Sequence, residues 1–358
     1  MLPADRAMLP AYRALLALLR PQLSPPLADL ARSLAAPLTE PQRAWLVRRS
    51  VQEGAADWLQ ARHREGLLEL TEPQLRQLQQ ATGLQTRRTL EADALRLLLR
   101  PLLHGAAAPL ALIKGASVEQ RCYPPGVMRH CADVDVLAAD ADLPALEDHL
   151  RRLGLHGVRR DPSGRTVQFA GPGAGAALDL HLRLACPRRY PRYATAEIAK
   201  TALQRAGFLR DGTKVLAPAD ATLHLLVHLA TGLGGDLRHL ADADQWLQRI
   251  KDPPLRQIVV MAEENGVHRA VRAALAWLAE LPLGAVDRRL TGLQTLPGPD
   301  RALAHLQRRL VQRHYLRRGP VLPPPLSALT ELLCVDFPRG AVGLAALVAG
   351  AGAGPPRP

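Results

Sequence analysis

The sequence has few aromatic residues and few cysteines, and both shortages exclude classes of protein. Phe, Trp and Tyr make up 3% of the 358 residues, so the hydrophobic 47% must build its core mainly from Leu, Ala and Val. The four cysteines, Cys122, Cys131, Cys186 and Cys334, show neither Cys-x-x-Cys pairing nor the spacing of a structural zinc site. We therefore expect small buried thiols in a cytoplasmic protein.

Long hydrophobic runs are also missing. Residues 14–19 are apolar but few and flanked by arginines, which is not a secretory pattern. Residues 341–354 are apolar and rich in glycine, but a membrane-spanning helix needs about 20 apolar residues. We expect a soluble protein without a membrane partner.

Positive charge exceeds negative charge, with 46 Lys and Arg against 33 Asp and Glu and a formal net charge of +13. A basic field attracts nucleoside triphosphates, RNA or a phosphorylated ligand. The arginines are dispersed, however, and lack the interleaved aromatic residues on which bases stack. Nucleic acid therefore stays open as a partner but is not favoured.

Hydrophobic periodicity divides the chain into a helical N-terminal region (1–104), an α+β core (105–216), a helical C-terminal region (217–325) and a weakly ordered tail (326–358). The predicted helices span residues 12–19, 44–59, 89–103, 143–153, 219–231, 236–250, 255–264, 267–281 and 301–316. The predicted strands span 109–113, 132–138, 165–170, 176–182 and, more weakly, 214–216. Turns at 161–164 and 171–175 are expected to form hairpins.

Two aspartates one residue apart, Asp133 and Asp135, interrupt a segment that otherwise predicts a buried strand, Ala-Asp-Val-Asp-Val-Leu. Side chains at i and i+2 of a strand share a face, and adjacent carboxylates repel each other unless a cation lies between them. Asp179 has similar apolar flanks in Ala-Leu-Asp-Leu-His-Leu. Three carboxylates on neighbouring strands suit Mg²⁺ held against a triphosphate, and we expect them to converge within about 4–7 Å.

The segment before the aspartates predicts a phosphate-binding turn. The apolar strand at 109–113 ends in Lys114-Gly115-Ala116-Ser117, and a helical stretch follows. Glycine after a strand lets the backbone approach a ligand, and the N-terminus of the next helix offers free N–H groups to phosphate.

These motifs together resemble a known family. Leu-Ile-Lys-Gly-Ala-Ser, Tyr-Pro-Pro, Arg129 and Asp-Val-Asp-Val follow one another between residues 112 and 136. This line is similar to the uncharacterised nucleotidyltransferase family of the polymerase-β-like superfamily. Residues 178–184 resemble that family's third-carboxylate strand, and 216–242 resemble its helical C-terminal half, so that the resemblance covers roughly residues 75–250.

The resemblance implies an α+β fold with a mixed sheet and the Mg²⁺-dependent transfer of a nucleotidyl group from an NTP to an unidentified acceptor, loosely a small molecule or a peptide. It implies two Mg²⁺ ions, one catalytic and one nucleotide-bound, held by Asp133 and Asp135. Asp179 would accept the acceptor's proton or share the first metal. The alternative is a catalytically inactive module on the same fold that binds a nucleotide or a phosphorylated ligand.

The expected nucleotide-binding residues are Lys114, Gly115, Ser117, Arg129 and His181. Ser117 also suits a helix cap, which we favour, and Arg129 suits a pair with Asp133 or a phosphate contact. His181 shares the strand face of Asp179, where it suits a proton shuttle, a nucleotide contact or a buried structural role.

Other polar groups have structural interpretations that we favour. His224 and His228 lie at i and i+4 of a helix and suit packing better than metal binding. Arg238 and Asp242 have the same spacing and predict an ion pair with each other. The arginines after the third aspartate predict a solvated basic loop or, alternatively, a site for an anionic acceptor: Arg183, Arg188, Arg189 and Arg192.

Overall fold

The structure is a computed structural model that describes residues 3–284, except 106–107, 125–126, 172–174, 232–236, 251–253, 280 and 282–283. The predicted helix at 301–316, the tail at 326–358 and Cys334 lie outside the described residues. Among the helices that are described, none is long and apolar enough to cross a membrane.

The described strands form one mixed sheet. They are β1 (Ala111–Leu112), β2 (Asp133–Leu137), β3 (His156–Arg160), β4 (Thr166–Ala170), β5 (Ala177–His181), β6 (Gly207–Phe208) and β7 (Lys214–Val215). Their spatial order is β3-β4-β5-β2-β1-β7-β6. The pairs β2–β5 and β1–β7 are parallel, and the other pairs are antiparallel. This mixed sheet with its flanking helices confirms the predicted α+β class.

The two faces of the sheet differ because the strand side chains alternate. Val134 and Val136 of β2, with Leu178 and Leu180 of β5, face a hydrophobic cluster that also contains residues of four helices described below. The opposite face of the same strands carries the aspartates. The alternation of apolar and acidic residues therefore places the candidate site on one face of the sheet and a hydrophobic core on the other.

The N-terminal helices are α1 (Pro3–Leu18), α2 (Pro25–Ala35), α3 (Glu40–Gln52), α4 (Ala56–Arg64), α5 (Glu72–Leu98) and α6 (Arg100–Leu103). Capping boxes begin α3 and α5, each with a threonine whose side chain binds the N3 backbone and a glutamine that binds the threonine N–H. The prediction of one helix at 44–59 is wrong. Gly54, with φ of 68°, separates α3 from α4.

The remaining helices are α7 (Lys114–Cys122), α8 (Leu143–Arg152), α9 (Ala196–Gln204), α10 (Pro218–Thr231), α11 (Leu237–Arg249), α12 (Leu255–Glu264) and α13 (His268–Leu278). Residues from the end of α5, from α6 and from α8 cover the apolar face of the sheet. A second cluster joins α1–α4 to α7, α10, α11 and α13. The helices predicted near 219–231, 236–250, 255–264 and 267–281 are confirmed within a few residues at each end.

Two strands were not expected. All five residues of β3 are exposed and their sequence, His-Gly-Val-Arg-Arg, lacks apolar alternation. β6 has only two residues. The turn at 161–164 does join β3 to β4, with Gly164 at φ of 69°. Most of the other predicted turn, 172–174, lies outside the described residues, although β4 and β5 pair as antiparallel neighbours.

Candidate active site

The parallel pairing of β2 and β5 brings two of the three predicted carboxylates side by side. Asp135 and Asp179 are register partners, and partners on adjacent strands present their side chains to the same face. One ligand atom from each of Asp135, Asp179 and His181 lies within 4.8 Å of the other two. The two carboxylates therefore converge, and the imidazole of His181 joins them.

Asp133 precedes Asp135 by two residues on the same face of β2, and the three-ligand group does not include it. Its residue is exposed, and its register partner is Ala177. The surrounding protein nevertheless removes part of the hydration of its carboxylate, and this effect, together with repulsion from Asp135, raises the pKa of Asp133. The cations of the chain therefore do not fully neutralise the Asp133 carboxylate.

The ammonium group of Lys114 contacts both Asp135 and His181, which also contact each other. Its Nζ is 2.5 Å from Asp135 Oδ1 and 3.0 Å from His181 Nε2, and those two atoms are 2.8 Å apart. Lys114 begins α7 with φ of 50°, a conformation that residues other than glycine rarely adopt. The Ile113 N–H donates to the Asp135 carbonyl oxygen at 3.0 Å, so the start of α7 is tied to β2 beside its own ion pair.

These contacts set the charges of the group. Burial alone would raise the pKa of the Asp135 carboxyl, but Lys114 and the His181 contact outweigh it and hold that pKa well below its usual range. Burial, followed by repulsion from Lys114, lowers the pKa of His181. At neutral pH the group therefore holds an ionised carboxylate and a neutral imidazole, the forms that bind metal ions.

The neighbouring strand β4 orients the second carboxylate. Gln168 is the register partner of Asp179, and its Nε2 donates to Asp179 Oδ1 at 3.0 Å. No local sequence pattern predicts this contact, because it depends on the antiparallel register of β4 and β5.

Arg129 makes different contacts from those expected. Its Nε and Nη2 donate to the Asp242 carboxylate at 2.7–3.0 Å, and its Nη1 donates to Cys131 Sγ at 2.9 Å. Tyr123 donates its hydroxyl proton to the same carboxylate at 2.7 Å. The expected pairs of Arg129 with Asp133 or phosphate are thus replaced by a buried link between the segment before β2 and α11.

The same link corrects two further expectations. Asp242 forms its ion pair with Arg129 and not with Arg238. Arg238 Nη1 instead donates to the His130 carbonyl oxygen at 3.0 Å. A Cβ atom on Gly115 would lie 2.2 Å from Arg129 Nη1. The glycine after Lys114 therefore makes room for this guanidinium, a role that the sequence did not reveal.

Lys114 also lines a narrow pocket, together with Ser117, His224 and Trp246. Ser117 is a buried interior residue of α7, whose N-cap is Ile113, so the prediction that Ser117 caps the helix is wrong. Within the described chain, neither ring nitrogen of His224 has a hydrogen-bond partner. Burial, followed by repulsion from Lys114, lowers the pKa of His224 to about 3.

The other candidates lie outside this group. The His224 and His228 rings stack with centroids 6.2 Å apart, and His228 meets His239 edge-on at 4.7 Å. Among the described residues, the three-ligand group that suits a metal is Asp135, Asp179 and His181, and these stacked rings take no part in it. Arg183 of the basic loop is paired with Asp140.

The donor set suits a divalent cation. Ionised carboxylate oxygens are the ligands that Mg²⁺ prefers, and a neutral imidazole adds a nitrogen ligand. Asp135 and His181 already place their ligand atoms 2.8 Å apart around a cation, the ammonium of Lys114. The residues present therefore fit a metal ion at this position.

Comparison with known proteins gives the family. A profile of the family described as uncharacterised nucleotidyltransferase matches residues 42–283, well over half of the chain. Searches of the curated proteins and of the solved structures returned no match. The matched part contains the whole sheet, α7 and the helices that carry His224 and Asp242. The chain belongs to the uncharacterised nucleotidyltransferase family.

Proposed function

We propose that the protein is a Mg²⁺-dependent nucleotidyltransferase that moves a nucleotidyl group from a nucleoside triphosphate to the hydroxyl of a small molecule or peptide. The observation that carries this proposal is the register pair of Asp135 and Asp179, on the sheet face beside Lys114 and the N-terminus of α7. A nucleotide substrate agrees with the family. The cytoplasm agrees with the buried free thiols of Cys122 and Cys131.

Each residue of the group has a role in this reaction. Asp133, Asp135 and Asp179 would hold two Mg²⁺ ions, which when bound offset the charge that develops on the phosphoryl oxygens. Lys114 supplies a point cation for the β- and γ-phosphates, and the free N–H groups at the start of α7 lie beside it. Gly115, Ser117 and Arg129 support this end of α7, and His181 contacts Lys114 from the strand side.

The reaction is an in-line displacement. The acceptor oxygen forms a bond to the α-phosphorus, and the bond from that phosphorus to the bridging oxygen breaks. Pyrophosphate leaves with the electron pair of the broken bond. The hydroxyl proton passes to the carboxylate of Asp179, which Gln168 holds in orientation from β4.

A second candidate function is a non-catalytic module that binds a nucleotide or a phosphorylated ligand. The ion pair of Lys114 with Asp135 favours it, because this pair neutralises a carboxylate that catalysis needs for metal. Both candidate functions predict that phosphate binds near the start of α7, but only the enzyme predicts turnover of the nucleotide.

Pyrophosphate release tests the proposal. Each of the four NTPs is incubated with Mg²⁺ and with sugars, peptides or tRNA, using wild type, Asp133→Asn, Asp135→Asn and Asp179→Asn. Asp148→Asn, an exposed aspartate of α8, is the matched control. We expect turnover in the wild type and the control, and its loss in the site variants. Nucleotide binding without turnover by any acceptor would instead support the non-catalytic module.

A further inference from the structure

The ligand group contains a nitrogen donor as well as two carboxylates, and this bears on the identity of the metal. His181 follows Asp179 at i+2 on β5, so both side chains project from the same face of the sheet. The His181 side chain is only 3% exposed, and its Nε2 is 2.8 Å from Asp135 Oδ1. The imidazole is thus fixed inside the group by the fold.

The contacts of His181 Nε2 cannot all be favourable hydrogen bonds. When Nε2 carries a proton it donates to Asp135, and its approach to the Lys114 ammonium at 3.0 Å then brings two donors together. When Nε2 carries a lone pair it accepts from Lys114, and it then faces the Asp135 oxygen as a second acceptor. In the second form the Lys114 ammonium relieves this conflict as a cation shared by both acceptor atoms, and a metal ion can take its place.

We propose that Asp135, Asp179 and His181 bind a divalent transition-metal ion of the Mn²⁺, Co²⁺ or Zn²⁺ class in preference to Mg²⁺, at the position where Lys114 now meets Asp135. This inference deepens the proposed function and rests on it, since the ion would be the acceptor-side metal. Imidazole favours transition metals, whereas Mg²⁺ favours oxygen ligands alone. The ligand atoms lie within 4.8 Å of one another, a separation that one ion bridges after small side-chain rotations.

Lys114 must leave Asp135 Oδ1 for the metal to bind, and in the nucleotide-free protein, where no phosphate is there to receive it, the structure offers it another place. The pocket beside Lys114 is lined by Ser117 and His224. Both side chains are buried, and the ring nitrogens of His224 have no hydrogen-bond partner in the part of the chain that the structure describes. A neutral imidazole has one lone pair that can accept an N–H from the displaced ammonium. The lysine and the metal therefore exclude each other at Asp135.

Mn²⁺ binding to the nucleotide-free protein tests the inference, because pulsed electron paramagnetic resonance detects a nitrogen atom bound directly to Mn²⁺. We expect this nitrogen coupling in the wild type and in His156→Asn, a control at an exposed histidine of β3, and its loss in His181→Asn. The coupling in the wild type is informative even if the buried variant does not fold. Wild-type protein without bound Mn²⁺ or without nitrogen coupling would overturn the inference.

Calorimetry of the same proteins gives the selectivity and the role of Lys114. His181→Asn should weaken Mn²⁺ and Zn²⁺ binding by at least about tenfold and Mg²⁺ binding by less. Lys114→Met should tighten Mn²⁺ binding about tenfold, and Lys200→Met, an exposed lysine of α9, should not. Equal loss of Mg²⁺ and Mn²⁺ affinity in His181→Asn, or no tightening in Lys114→Met, contradicts the inference.

The two proposals fail separately. If Mn²⁺ shows nitrogen coupling but no combination of NTP and acceptor releases pyrophosphate, the metal site is supported and nucleotidyl transfer is refuted. Mg²⁺-dependent turnover without nitrogen coupling removes the metal inference and leaves the proposed function intact.

Discussion

The two aspartates of β2 should respond oppositely to the same conservative substitution. Asp133 is exposed, and reduced hydration together with repulsion from Asp135 raises its pKa, so its charge opposes folding in the absence of metal. Asp135 is ion-paired with Lys114 at 2.5 Å, and its side chain is 11% exposed. In EDTA, Asp133→Asn should leave the stability unchanged or raise it, whereas Asp135→Asn should lower it.

The magnitude follows from the contacts. Asp135→Asn removes a charge-assisted hydrogen bond and leaves a Lys114 side chain that is 15% exposed without its anion. Losses of this kind are about 1.5–3 kcal/mol, and each kcal/mol shifts Tm by about 2–4 °C in a protein of this size class. We therefore expect a fall in Tm of roughly 3–12 °C for Asp135→Asn. The free energy of unfolding of Asp133→Asn should be within about 0.5 kcal/mol of the wild-type value or higher.

The pH dependence of stability independently gives the sign of the contribution that each aspartate charge makes to folding. The folded-state pKa of Asp135 lies below its unfolded value, so its stabilisation is present above that unfolded value and is lost as pH falls through the folded pKa. The folded-state pKa of Asp133 lies above its unfolded value, so its penalty disappears on acidification. The Asp133 difference from wild type should therefore disappear as pH falls to about 4, and the Asp135 difference should shrink only below about pH 4.

Thermal melts in EDTA at neutral and acid pH give the Tm of wild type and of the two variants, with Asp148→Asn as the exposed control. Equal melting temperatures for the two variants of β2, or a larger loss for Asp133→Asn, would refute the charge arrangement described for the group.

Three further predictions concern stability around the site. Asp242→Asn should cost about 3–5 kcal/mol in urea unfolding, since it leaves Arg129 buried without its anion, and Asp242→Asn with Arg129→Gln should recover part of the loss. Gly115→Ala should cost roughly 1–3 kcal/mol, because its Cβ would lie 2.2 Å from Arg129 Nη1. Burial lowers the folded-state pKa of His224 to about 3, whereas the imidazole of the unfolded chain takes up a proton below about pH 6.5. In urea melts from pH 7.5 to 5, the free energy of unfolding of wild type should therefore fall below about pH 6.5. The free energy of unfolding of His224→Leu should fall less.

The sequence predicted the part of the fold in which local pattern and tertiary structure agree. β2 and β5 alternate apolar and polar residues, so their acidic face was visible before the structure was known. β3 was missed because it is exposed on both faces and has no alternation to detect. The break between α3 and α4 was missed because Gly54 stands inside an otherwise continuous helical pattern.

The contacts of the site residues were not predicted because the two partners of each contact lie far apart in the sequence. Arg129 and Asp242 are separated by 113 positions, and no local pattern distinguishes that pair from the i,i+4 pair expected of Arg238. The contact of His181 with Asp135 requires the parallel register of β2 and β5. Strand parity predicted that His181 faces the same side as Asp179, but only the register shows which aspartate it meets.

The most direct test of the central claim is the metal dependence of nucleotide binding, which needs no knowledge of the acceptor. Titration calorimetry with a non-hydrolysable NTP analogue compares wild type, Asp135→Asn and Asp148→Asn, each with Mg²⁺ and with EDTA. Binding by wild type and Asp148→Asn in Mg²⁺, with a loss of at least about tenfold in EDTA or in Asp135→Asn, is the result that we predict. Equal affinity with Mg²⁺ and EDTA, or in Asp135→Asn and wild type, would contradict a nucleotide site built on this carboxylate.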